Sequence, residues 1–196
     1  MKLSKYSQDV INKEFQSLKA FKEILSDQSA ITFLDQAHAS LIKNSDVSSH
    51  RGPFRKSLIH YAAMGNCTEL LRFLLLNGAS IDDRDGKKRT PLSWAAEYGA
   101  LEAVRILLTN GAKINATDDM FRTPLTWLVR VGTDQRSATE AYLRTKGAKE
   151  KGKKRHWFLG KLACSQAEMV LDFQEYSSAS LKQVLHLTSA VYITVL

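Results

Sequence analysis

Cysteine is scarce in this 196-residue chain: the two residues, Cys67 and Cys164, form no disulfide framework and lack metal-site spacing. That usage suits a reducing compartment. No uninterrupted apolar run reaches about 18 residues, and no basic segment leads into an apolar core at the N-terminus, so neither a membrane span nor a secretory leader is expected. The sequons at Asn66-Cys67-Thr68 and Asn115-Ala116-Thr117 are accordingly read as chance matches. Catalytic motifs are missing too. There is no Gly-rich phosphate loop, no G-x-S-x-G elbow and no H-E-x-x-H helix, and the five histidines are scattered. The expectation is a chain that is not an enzyme and takes no metal or cofactor.

The net charge of +8 is absent from the middle of the chain. Residues 1–56 carry +3, residues 57–143 are neutral, residues 144–156 carry +6 and the remainder −1. The excess therefore sits in "RTKGAKEKGKKRH", where Lys151, Lys153, Lys154 and Arg155 are nearly consecutive. Such a run reads first as a solvated basic segment, with a nuclear-import signal or an anionic-surface patch as alternatives. No element that reads nucleic-acid bases accompanies it.

What the chain does have is a phrase that recurs every 33 residues: "SLIHYAAMGN" from Ser57, "TPLSWAAEYG" from Thr90 and "TPLTWLVRVG" from Thr123. A second phrase keeps the same register, "TELLRFLLLNGASIDD" and "LEAVRILLTNGAKINA" reaching Gly78 and Gly111. The third version, "ATEAYLRTKGAKE", reaches Gly147 after 36 residues and so carries three extra. A fixed period of this length marks a stacked unit that cannot bury its own apolar face without neighbours.

The local chemistry predicts two helices per unit. Thr90 and Thr123 are placed to N-cap the first, with Pro91 and Pro124 at the first helical position, where a missing N–H costs nothing. Gly99 and Gly132 close it. Leu70, Leu71, Leu74 and Leu75 then match Ala103, Val104, Leu107 and Leu108 as the buried stripe of the second helix. Ala62, Ala63, Ala95 and Ala96 let helices approach closely. Leu128 and Val129 replace these alanines in the third copy, which has also lost most of the stripe and reads as a degenerate end unit.

These residues resemble the ankyrin repeat, with its T-P-L-H-x-A-A-x-x-G helix and closing G-A-x-x-N. The resemblance covers about residues 52–150, as copies at 52–84, 85–117 and 118–150. It implies an all-α solenoid of helix pairs with projecting hairpin loops. It also implies protein partners bound at the loop tips and the inner helix face. Mapped onto this chain, those positions are Arg84, Gly86, Lys87 and Arg89 on one loop and Asp119, Met120 and Arg122 on the next. Met64, Glu97, Tyr98 and Arg130 are the corresponding helix ends. His60, where the other copies have Ser93 and Thr126, is read as a structural hydrogen-bonder of a neighbouring hairpin. Tyr61, Trp94 and Trp127 form a column that serves either inter-repeat packing or an exposed recognition stripe.

Residues 1–51 are expected to supply a helical cap or a divergent repeat, with one helix over about 8–26 using Ile11, Phe15, Leu18, Phe21 or Lys22, and Leu25, and another ending near Lys43. Residues 151–196 read as a basic linker and a tail without repeat phrase, strand-favouring at 190–196. The resulting functional expectation is an intracellular, monomeric, cytoplasmic or nuclear scaffold that binds a protein partner. Its rivals are a nucleic-acid-associated protein working through residues 144–156, and an adaptor for an enzyme.

Overall fold

The computed structural model describes residues 5–43, 50–131 and 137–151, which lie in one compact unit. Among these residues the fold is all-α, with no strand. An N-terminal group comprises α1 (Lys5–Lys19), the short α2 (Lys22–Leu25) and α3 (Gln28–Ile42). Three helix pairs follow: α4 (Leu58–Met64) with α5 (Thr68–Leu76), α6 (Pro91–Glu97) with α7 (Leu101–Thr109), and α8 (Pro124–Val131) with α9 (Ser137–Thr145). First helices stack on first helices, α4 on α6 on α8, and second helices likewise, α5 on α7 on α9.

The predicted caps are in place. Thr90 Oγ1 accepts from the Ser93 N–H at 3.3 Å, and Thr123 Oγ1 from that of Thr126 at 3.4 Å. Each second helix ends in a Schellman turn. The Ala79 and Ala112 N–H groups reach back to the Leu74 and Leu107 carbonyls at 3.0 Å, and Gly78 and Gly111 sit at φ +82° and +90°. The three extra residues of the third copy fall between the start of α8 and the start of α9, where α8 is one residue longer than α6 and the connection two residues longer.

The stripe packs as read. Leu70, Leu71, Leu74, Ala103, Val104 and Leu107 are buried, while Leu75 and Leu108 are partly buried at its edge. Ala62, Ala63, Ala95 and Ala96 are fully covered, which is why α4, α6 and α8 can stack so closely. Stacking is reinforced by side chains that cross from unit to unit and cap a neighbour's helix. Both Glu14 oxygens accept from the start of α5, at Glu69 N and Leu70 N, while Asn66 Oδ1 accepts from Ala103 N at 2.9 Å. These bonds satisfy orphan amide donors of helices whose own N-cap residues, Cys67 and Ala100, make no side-chain cap.

The N-terminal group departs from expectation in one respect. The single helix over residues 8–26 is broken at Ala20–Phe21, so the apolar phase shifts: Ile24 is buried and Leu25 is 60% exposed. Asp27 then N-caps α3 by accepting from Ser29 N and Ala30 N. The strand-favouring stretch at 190–196 lies outside the described residues.

Candidate functional site

The hairpins that join the helix pairs are built on a shared sequence, "DGKKRTPLSW" from Asp85 and "DDMFRTPLTW" from Asp118. Asp85 Oδ1 accepts from the N–H groups of Lys87 and Arg89 at 2.9 and 2.8 Å, which clamps the turn, while its Oδ2 accepts from the Trp94 indole at 2.9 Å. Asp118 repeats the pattern with Met120, Arg122 and the Trp127 indole. One carboxylate thus locks a turn and orients the aromatic that follows it. The first hairpin has Gly52 and Tyr61 at these positions and lacks the carboxylate clamp.

The oriented aromatics interleave with cations in a continuous ladder. Lys56 Nζ lies 4.0 Å from the Trp94 ring centroid, the Arg89 guanidinium 3.7 Å from both Trp94 and Trp127, and the Arg122 guanidinium 4.0 Å from Trp127. Arg89 is therefore sandwiched between two indoles while it pairs with the buried Glu97 carboxylate. Each desolvated cation-π face is worth about 2 kcal/mol, so the ladder is a binding element of the stack itself. Burial, then the nearby Arg89 charge, lowers the Lys56 pKa, with Asp85, Glu97 and Asp27 opposing the shift.

His60 joins adjacent hairpins. Its Nδ1 accepts from the Ser57 N–H at 3.1 Å, so its Nε2–H donates to the Arg89 carbonyl at 3.2 Å. Thr126, two units along, likewise donates to a hairpin carbonyl, that of Lys151 at 2.7 Å. Ser93 does not follow suit, and its buried hydroxyl has no hydrogen-bond partner. Burial is the main cause holding the His60 pKa below its ordinary value of 6.5. The same cause pushes the Cys67 thiol up to about 12, which leaves it unreactive as a nucleophile.

The sequence-predicted partner positions divide into two groups. Arg89 (2% exposed), Glu97 and Arg122 are buried ladder or ion-pair residues. Solvent exposure, which the loop reading assumed for Arg89 and Arg122, does not hold there, because the indoles and carboxylates cover the guanidiniums. Met64 is buried, and Tyr98 is partly buried against Phe21, with ring centroids 5.6 Å apart. Phe33 covers Tyr61 in the same way at 5.4 Å, and α1 passes so close to Gly65 that an added Cβ would lie 2.2 Å from Leu18. The N-terminal helices thus lie on the helix ends of the first two pairs.

Arg84, Asp119, Met120 and Arg130 are exposed, Lys87 and Gly86 line the tips, and Arg84 ties adjacent loops by donating to the Lys88 and Thr117 carbonyls. Lys151 is exposed, while Lys153, Lys154 and Arg155 lie outside the described residues. Residues taken singly do not reveal the ladder, although its signal is in the sequence: Asp85, Arg89 and Trp94 recur together 33 residues on as Asp118, Arg122 and Trp127.

Helix pairs stacked at this period, with capped first helices and hairpins linked edge to edge, define the architecture of a repeat solenoid. Residues 21–118, half of the chain, match the family described as ankyrin repeats in three copies. The chain belongs to the ankyrin-repeat family. The match begins just after α1 and ends at the third hairpin, so it takes in α2 to α7 and leaves out α1, α8 and α9. No curated protein matches the chain. Ankyrin repeats are in general protein-protein interaction modules without catalytic activity, whose partners are proteins. No described helix is long and apolar enough to cross a membrane.

Proposed function

We propose that this chain is a non-enzymatic scaffold whose protein partner docks along the row of hairpin tips and onto the exposed end of α8. The observation that carries this reading is the division of the predicted partner positions. Met64 and Glu97 are buried and Tyr98 is partly buried against Phe21, whereas Arg84, Asp119, Met120 and Arg130 face solvent. Arg89, Arg122 and Glu97 serve this face as positioning residues, because they fix the turns that present it.

A partner captured from cell extract by the full chain tests the reading through amide hydrogen exchange. Protection on complex formation is expected in the loops at 84–89 and 117–122 and near Arg130. Protection confined to α1 to α3, or to the basic segment from Arg144 onward, would place the partner elsewhere.

A further inference from the structure

The hairpin tips form two columns. Phe54, Lys87 and Met120 occupy one set of equivalent positions, and Arg55, Lys88 and Phe121 the other. The second column is left-handed throughout, at φ +57°, +58° and +61°, and Phe54 joins it at +55°. Bulky side chains seldom adopt this conformation, and Phe54 and Phe121 are left 68% and 58% exposed by it, so neither ring repays the strain by packing in the core. Backbone bonds link tip to tip: Gly86 N–H donates to the Phe54 carbonyl at 2.7 Å and Asp119 N–H to that of Lys87 at 3.1 Å. The row is therefore a fixed series rather than three independent loops.

Read along the stack, the series runs apolar with basic, then basic with basic, then apolar with apolar. The first and third tips are two inter-repeat steps apart, about 16 to 20 Å at the usual spacing of packed helices. An extended chain crosses that distance in about six residues at ~3.3 Å each.

Resting on the tip-docking reading above, we infer that the partner presents an extended segment of about six residues in which acidic side chains are bracketed by two bulky apolar ones. The apolar side chains meet Phe54 at one end and Met120 and Phe121 at the other, and the carboxylates meet Arg55 beside Phe54 and Lys88 in the middle tip. Charge complementarity selects the centre and steers encounter; the aromatic ends fix register.

The probe is a displayed library of random 12-residue peptides, selected on the immobilised full chain, with enriched peptides resynthesised and titrated by fluorescence anisotropy. Enriched sequences are expected to carry two or more Asp or Glu between apolar residues spaced about five or six apart. Their affinity should fall about tenfold for Arg55→Glu with Lys88→Glu, and about as much for Phe54→Ser with Phe121→Ser. Unchanged far-ultraviolet circular dichroism and urea midpoint would show that both variants are folded.

Enriched peptides that depend on these tips but lack the acidic and apolar pattern would overturn the inferred chemistry and leave tip docking standing. Peptides indifferent to both variants, or no enrichment at all, would overturn both.

Discussion

Arg89 is the residue on which most depends, because its guanidinium lies between Trp94 and Trp127 and neutralises Glu97 in the interior. Arg89→Met should cost about 3 to 5 kcal/mol in urea unfolding, since it strands a buried carboxylate. Adding Glu97→Gln should recover part of that loss, and the near-ultraviolet circular dichroism of the two tryptophans should change in the single variant. His60 makes a second prediction, of pH dependence. Its folded pKa lies below 6.5, so as pH falls through that value the unfolded chain takes up a proton before the folded one does. Stability is therefore full above pH 6.5 and declines as pH falls below it, until the folded pKa is passed. Part of that decline should vanish in His60→Gln, as urea midpoints at pH 7.5 and 5.5 would reveal.

At the scale of the element, the central pair tests the packing. Leu107→Ala should destabilise the stack by about 2 to 5 kcal/mol, because the side chain is fully buried on α7 and its removal leaves a cavity. A loss near zero in denaturant titration would mean that the buried face was misassigned. These helices were legible in the sequence for a physical reason: caps, proline and closing glycine act within a few residues, and the buried stripe repeats at a fixed offset. The break at Ala20–Phe21 was less legible, since Phe21 is drawn to Tyr98, almost eighty positions away, and no local spacing reports such a contact. Arg89 misled for a related reason. A basic residue in a polar loop reads as exposed unless the indoles on both sides are seen to close over it, and those belong to two different repeats.

The whole molecule combines a neutral repeat stack with a basic segment of different character. Neutralising Lys151, Lys153, Lys154 and Arg155 should change nonspecific adhesion and its salt dependence while leaving partner affinity at the tips intact. The N-terminal helices make the inner helix ends of the first two pairs part of the fold, which separates two surfaces that a repeat protein could use. A direct titration of a captured partner against two variants of the full chain distinguishes them. Met120→Ser with Phe121→Ser should weaken binding about tenfold without altering the urea midpoint, whereas Tyr98→Ala should lower the midpoint and leave the folded protein's affinity within about twofold. Loss of affinity in Tyr98→Ala with none in the tip variant would contradict the account.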